Sequence, residues 1–398
     1  MEINIKTLTP LWTGGVETGK CDRIHETGIL GSLRWWMEVL VRGLGGQVND
    51  PTSESRSGLD PYKFDAQKYR KLQDEAERRQ YLRHAGLCDV SQIFGATGWK
   101  RRFRLEIEET QVVNATIKHP IRANRTYYTD KQSKQKTPTW YFPEPPNTPK
   151  TGIFTLRIHS LNPDFKPEII GGLIQFIADY SALGARPQMG FGVIEIEERI
   201  NTQPLCDWLF SIDGSNIYPD LPSLSNIFLA QIQPKDSNPS FSEQDTFNLK
   251  YDLRNCFRAE EEIRTEENRI QVKTESKSLI LNKDKKDRSI SEVDGNKDLR
   301  HFIMGAVNGD RIAAKVKISR PYKNDKLMRI WGWVPEEADV YKNGWNREKV
   351  IDAIYQHLKE NYTLHGWREM NSERDTVTAN HTDVRGFLRS LLQLQEDE

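Results

Sequence analysis

Over the first 200 residues, stretches in which hydrophobic and polar positions alternate exchange with stretches of helical spacing. Ile3 and Ile5 alternate with Asn4 and Lys6, the pattern of a half-buried strand that ends before Pro10. A loop rich in glycine and small polar residues follows, "LWTGGVETGKCDRIHE". Ile29, Leu33, Trp36 and Leu40 then recur at helical spacing, with Thr27 as the expected N-cap. A charged helix is expected over about 65–84. Phe103, Leu105 and Ile107 alternate with Arg102, Arg104 and Glu106 to give a second strand, and "GIFTLRIHS" (Gly152–Ser160) gives a third. Ile169, Leu173, Phe176 or Ile177, and Tyr180 share one face of a second helix, and "GVIEIEE" is a fourth strand burying Ile194 and Ile196. This strand-helix-strand-strand-helix-strand order is the ferredoxin-like unit, also the topology of RNA-recognition domains.

The second half repeats part of this order. "INIKTLTP" (Ile3–Pro10) has a counterpart in "IFLAQIQP" (Ile227–Pro234), Leu33-Arg34 in Leu253-Arg254, and "IFGATG" (Ile93–Gly98) in "IMGAVNG" (Ile303–Gly309), which precedes "RIAAKVKIS". The expected architecture is α+β: an RRM-like domain over 1–200, a linker over 201–225 marked by Pro204, Pro219 and Pro222, and a second, diverged RRM-like domain over 226–398.

Composition narrows the function classes. Lys plus Arg and Asp plus Glu both number 57 in 398 residues, so a nucleic-acid site has to come from local segregation of charge. Cys21, Cys88, Cys206 and Cys256 lie far apart without paired spacing, which argues against a structural zinc site or a disulfide framework and fits a reducing cytoplasm. No leader pattern and no membrane-spanning run is present, so a soluble, cytoplasmic protein without a membrane partner is expected.

Such segregation occurs between Trp99 and Lys136, where 10 Lys plus Arg face four acidic residues. Lys100, Arg101, Arg102, Arg104, Arg122 and Arg125 are its candidate phosphate contacts, and Tyr127, Tyr128, Trp140 and Tyr141 are available to stack unpaired bases. The segment 254–298 balances 11 basic against 11 acidic residues and reads as a solvated charged helix followed by a loop. A second candidate is the loop "SALGARPQMGFGVIEIEE", which follows the second helix directly. Gly184, Gly190 and Gly192 tolerate the backbone angles of an anion-binding nest, and Arg186 adds a charge-assisted contact. The competing reading is structural, with Gly184 capping the helix and Gly190 and Gly192 making a tight entry to the strand. Arg34, one position after core Leu33, is expected to emerge near this loop as a phosphate contact, with an intramolecular ion pair as its competing use.

Written out, Gly184, five residues, then Gly190-Phe191-Gly192 resembles the signature glycine-rich loop of the RAMP superfamily, the RRM-like proteins of CRISPR systems; Ala182 stands where the first glycine is expected. "LTPLWTGG" followed by "IHETGILGSLRWWMEVL" is similar to the opening of the family of first RAMP subunits in type III-B (Cmr) effector complexes, with His25 where that family carries an arginine. The resemblance implies two RRM-like domains and a non-catalytic RNA-binding subunit. Its partners would be crRNA and target single-stranded RNA, near the guide 3′ end, together with backbone RAMP subunits and a neighbouring RAMP subunit. It implies no cofactor, and it adds Lys20, Arg23 and His25 to the candidate RNA contacts.

Two other classes stand beside this reading. Asp22 lies in the loop after the first strand, where related backbone subunits carry a cleaving aspartate, and His25 follows three residues on. No second carboxylate or histidine stands at metal-ligand spacing, so no catalytic or metal-binding residue is assigned. A purely architectural subunit, contacting protein alone, is the third class.

Overall fold

Strand β1 (Glu2–Thr7) buries Ile3, Ile5 and Thr7 and exposes Glu2, Asn4 and Lys6, as its alternation predicts. In this computed structural model the described residues are 1–398 except 16, 18–20, 51–56, 118–120, 124–126, 129–134, 138, 141–147, 236–239, 258–296, 307–311, 337–344, 378–382 and 395–398. Helix α1 spans Glu26–Gly43 and starts at His25 rather than Thr27. The reason lies in Thr13, whose Oγ1 accepts the His25 N–H (2.9 Å) and whose carbonyl oxygen would sit 2.4 Å from a Cβ at position 28. Gly28 therefore has to be glycine inside the first turn, whatever that costs in helix propensity.

The expected charged helix is two, α2 (Ala66–Lys71) and α3 (Glu75–His84). Leu72 is extended, and Asp74 restarts the helix by accepting from the amides of Ala76 and Glu77. A short buried helix, α4 (Asp89–Phe94), precedes β2 (Phe103–Asn114). The insertion after β2 carries β3 (Ile121–Arg122), β4 (Tyr127–Tyr128), β5 (Gln135–Lys136) and β6 (Thr139–Trp140), paired β3 with β6 and β4 with β5 as a nested antiparallel hairpin. Strand β7 (Lys150–Ser160), helix α5 (Glu168–Tyr180) and strand β8 (Ile194–Ile196) complete the unit; Ile194 is buried and Ile196 half-buried. The sheet order is β2-β7-β1-β8, every neighbour antiparallel.

The second unit consists of β9 (Ile227–Gln233), α7 (Asp245–Asn255), α8 (Lys297–Met304), β10 (Lys317–Ile318), β11 (Met328–Trp333), α9 (Arg347–Asn361) and β12 (Thr363–Arg368). Its sheet order, β10-β11-β9-β12, repeats the first, with the opening strand between the third and the fourth. The chain is thus an α+β protein of two ferredoxin-like units. The match of Leu253-Arg254 to Leu33-Arg34 is looser than the spacing suggests, since the first pair lies in the last turn of α7 and the second in mid-α1. Residues 201–225, expected as linker, contain helix α6 (Gln203–Phe210). Leu205, Cys206 and Leu209 are buried, and a Cβ at Gly172 of α5 would come within 2.9 Å of the Leu205 Cβ, so that glycine lets the two helices meet. The acidic and basic segment 254–298 lies almost wholly outside the described residues.

The two units share one helical layer. Helix α5 is buried continuously from Ile169 to Ala178, and α1 buries Val39, Leu40, Val41 and Arg42 in addition to its sheet-facing stripe. One sheet cannot cover helices apolar on more than one side. The second sheet covers the rest: Ile227, Leu229 and Trp331 belong to the core of the first unit, while the alternate residues Phe228, Ala230, Ile232, Met328 and Ile330 belong to the second core. Helix α10 (Val384–Leu391) also returns to the first core, through Phe387, Leu388 and Leu391. The order of layers is sheet, helices, sheet, helices. Arg329 of β11 ties the layers by donating to the Ser181 carbonyl (3.2 Å), and Arg42 of α1 by donating to that of Pro222 (3.1 Å).

A fragment ending at residue 200 is therefore expected to precipitate or to run as an oligomer in size-exclusion chromatography, because α1 and α5 would expose the side that the second sheet covers. A well-behaved monomeric fragment would mean that the first unit closes its own core.

Candidate nucleic-acid interface

The loop from Ser181 to Val193 is tied down at nearly every step. The Gly184 N–H donates to Ser32 Oγ (3.0 Å), that of Ala185 to the Trp12 carbonyl, that of Leu183 to the Gly192 carbonyl (2.8 Å) and that of Gly192 to the Pro10 carbonyl (2.9 Å). The Gly190 N–H closes a 3₁₀ turn on the Pro187 carbonyl (3.0 Å). An amide already donating to a carbonyl is not available to a phosphate, so the nest expected from the glycines is spent inside the protein. The glycines serve close approach instead. Gly192 has φ +89° and a Cβ there would lie 1.9 Å from the Leu183 oxygen; Gly190 has φ +86° and a Cβ there would lie 2.6 Å from the Arg320 amide nitrogen, which donates to the Gly190 carbonyl.

What this arrangement positions is an aromatic pin. Trp12 and Phe191, both buried, pack with ring centroids 5.7 Å apart, and Cys21 and Ile121 join them. Three segments that sequence reasoning singled out separately thus converge: the loop after β1, the insertion after β2 and the glycine loop. One of their cations, Arg186, stacks on the pin. Arg186, in a left-handed conformation, lays its guanidinium 3.9 Å from the Trp12 ring centroid and remains half-buried; burial draws its pKa below the usual guanidinium value. Arg122 is exposed beside Ile121. Arg23 is half-exposed and pairs with Glu26 (3.4 Å). Lys20 and Arg125 lie outside the described residues.

Residues 4–195 match the model of the RAMP superfamily. That match covers the first unit, which is similar to the RAMP superfamily. No curated protein sequence matches it significantly. Among solved structures it is similar to apo Cmr1 from Pyrococcus furiosus, at 13% identity and TM-score 0.40 over 89% of this chain and 96% of that one. It is similar too to a chain of the cryo-EM structure of the Type III-B Cmr-beta bound to cognate target RNA and AMPPnP in the presence of ssDNA, at 12% identity and TM-score 0.39 over 90% and 99%.

Within the first unit the remaining candidates fall elsewhere. His25 is buried, with its Nε2 2.6 Å from Asp22 Oδ1; this bond holds the exposed Asp22 carboxyl below the usual carboxylate range and fixes the turn into α1. A ring so enclosed is part of the helix start rather than a phosphate contact. Arg34 does not emerge at the glycine loop. Its three nitrogens donate to Glu38 Oε1 (3.2 Å), the Gly95 carbonyl (3.0 Å) and Ser91 Oγ (3.0 Å), pinning α4 to α1, which is the competing use. Lys100, Arg101, Arg102 and Arg104 sit at the start of β2, and the twelve residues of that strand put them roughly 35 Å from its other end, where the insertion begins. There Arg101 donates to the Phe103 carbonyl (2.6 Å), Arg102 to Tyr69 Oη (3.4 Å) and Arg104 to Glu106 (3.3 Å), while Lys100 is exposed.

The sheet faces, which carry the stacking aromatics of RNA-recognition domains, are lined differently here. The outer face of the first sheet shows Glu2, Asn4 and Lys6 of β1 beside Thr155, Arg157 and His159 of β7 and Arg104, Glu106 and Glu108 of β2. Arg157 is held between Glu2 (2.7 Å) and Glu108, and His159 lies 3.0 Å from Glu106, so these two side chains are already engaged by carboxylates. The equivalent face of the second sheet is buried against α1 and α5. Among the described residues no group of three or more His, Cys, Asp and Glu is placed to hold a metal ion. Sequence reasoning missed Trp12 as the centre of the pin, and missed Arg320, Lys315 and Lys317 of the second unit; the alternation in "AAKVKISR" was the available signal.

Gly192→Ala is expected to cost about 3 kcal/mol or more, because the new Cβ meets a backbone oxygen in a left-handed conformation. Gly31→Ala in α1, with open space around its Cβ, is expected to be neutral or to stabilise by up to about 1 kcal/mol. Thermal unfolding of the two variants checks both, and equal effects would contradict the close-approach account.

Proposed function

We propose that this chain is a non-catalytic RNA-contacting RAMP subunit of a type III-B CRISPR effector, meeting crRNA or target RNA through the surface around the Trp12–Phe191 pin. The observation that carries the reading is the Arg186 guanidinium stacked on Trp12, at an apolar pin that Trp12, Ile121 and Phe191 build from three segments, in a chain whose net charge is zero. Arg186 stacked on an indole offers both halves of single-strand recognition, a cation for phosphate and an aromatic edge for a base. The type III-B context rests on the family and on the motifs "LTPLWTGG" and "IHETGILGSLRWW". In that setting the neighbours are the backbone RAMP subunits and a second RAMP subunit near the guide 3′ end. A metal-dependent ribonuclease working through Asp22 is the second reading, favoured by its 2.6 Å contact with His25.

The full chain, incubated with end-labelled single-stranded RNA with and without Mg²⁺ or Mn²⁺, is expected to give a salt-sensitive mobility shift with intact RNA. Arg186→Glu and Arg122→Glu should each weaken the shift at least tenfold. Arg34→Ala should leave affinity within twofold and lower the melting temperature, since it removes two hydrogen bonds that join α4 to α1 and an ion pair within α1. No shift at low salt would overturn the RNA reading, and metal-dependent fragments that vanish in Asp22→Ala would establish the nuclease.

A further inference from the structure

The segment around β10 that leads from α8 to the glycine loop reads Lys315-Val316-Lys317-Ile318-Ser319-Arg320. Val316 and Ile318 point into the second core. The alternate positions face the first unit, and there the two lysines stand side by side. The Lys315 side chain is buried, with Nζ 3.0 Å from the Phe302 carbonyl, 3.4 Å from the Phe302 ring centroid and 5.1 Å from that of Trp333. Lys317 Nζ lies 5.2 Å from the Trp35 ring centroid and 3.4 Å from the Lys315 carbonyl. Among the described residues neither ammonium has a carboxylate within ion-pair distance, and burial pushes both down to about 8.

Buried charge without a counter-charge disfavours the folded state, so its retention calls for a compensating use. The surroundings indicate the missing partner. Trp35, Trp333 and Phe302 are half-buried, and they interleave with the ammonium groups rather than sealing them. Cations that need an anion, set among aromatic faces that are only partly covered, match a nucleotide's phosphate and base together. A carboxylate ligand would leave the rings unused, and an apolar one would leave the charges unmet.

We propose that Lys315, Lys317, Trp35 and Trp333 form a second binding site, at the seam between the two units, for a nucleoside phosphate, either free or as one unit of an RNA strand. The site shares no residue with the pin surface. It connects to it, because Arg320 at the end of the same segment donates its amide to Gly190 of the glycine loop, and the five steps from Lys315 to Arg320 span roughly 17 Å. Only the polymer form of this ligand rests on the RNA reading above; the free nucleotide does not.

Equilibrium dialysis of the full chain against AMP, and separately against a short single-stranded RNA, tests the site. The double variant Lys315→Met, Lys317→Met is expected to weaken binding of at least one of the two ligands tenfold or more. Lys71→Met, at an exposed lysine of α2 outside both surfaces, should leave AMP binding unchanged. If AMP and RNA both weaken in the double variant, the site takes a nucleoside phosphate from either source; if RNA alone weakens, the polymer is its ligand. Because the substitutions remove uncompensated charge and keep the side-chain volume, the double variant should melt no lower than the parent, so lost binding cannot be ascribed to unfolding. The proposal is overturned if the parent binds neither ligand, if the double variant binds both as the parent does, or if it melts lower, which would make the ammonium groups structural.

Discussion

A helix lying on one sheet needs an apolar stripe, whereas α5 is buried along its whole length from Ile169 to Ala178, and something has to cover the side that the first sheet leaves open. The second sheet does so, and β9 and β11 become strands buried on both faces, which is why their residues read as a near-continuous hydrophobic run instead of an alternation. Trp36 shows how the layers interlock. Its ring packs edge-on to Phe176 at 5.1 Å, and its indole N–H donates to Ser181 Oγ, while the Ser181 carbonyl accepts from Arg329 in the second sheet. The end of α5 is thereby satisfied from both neighbours at once.

This sharing decides where a ligand can go. A ferredoxin-like unit with a free sheet face has a ready platform for bases, but here one such face is consumed by the interlayer contact and the other is occupied by ion pairs among Glu2, Glu106, Glu108, Arg157 and His159. On the proposed function, RNA meets the loops at the ends of the strands. Those loops need rigidity that short segments lack on their own, and the glycines supply it by allowing backbone to touch backbone: Gly192 against Leu183, Gly190 against Arg320. The loop is then a clasp, and the proposed RNA contact rests on side chains, Arg186 above all.

The period of the hydrophobic pattern made the first unit legible, because strands β1, β2 and β7 and helices α1 and α5 bury residues that their spacing selects, and the repeated order of segments pointed to the second. The break between α2 and α3 was hidden by charge that fits a continuous helix equally well; what ends α2 is the extended Leu72 and the capping Asp74, a local competition that periodicity does not register. The glycine loop was legible as special but not as to why. A sequence shows that glycine is needed for a positive φ, yet whether the freed amides face a ligand or the protein depends on Pro10 and Trp12, some 170 residues away. Arg34 failed for a related reason, since its partners on α4 belong to a helix that the sequence did not announce.

The cations at the seam are not equivalent, and the difference is chemical. Arg329 and Arg42 are buried too, but each donates to a carbonyl near the end of a structural element, Ser181 after α5 and Pro222 before β9, and Arg42 reaches Glu38 as well (3.2 Å). A planar guanidinium with five donors can cap carbonyls and stack on a ring at the same time, and the folded chain alone accounts for it. Lysine offers a compact, strongly hydrated charge with no such fork, and Lys315 and Lys317 each find a single carbonyl and aromatic faces. Arginine at either position would have fitted a purely structural seam better. Two neighbouring lysines, each lowering the comfort of the other's charge, are what a strand carries when the counter-charge arrives from outside.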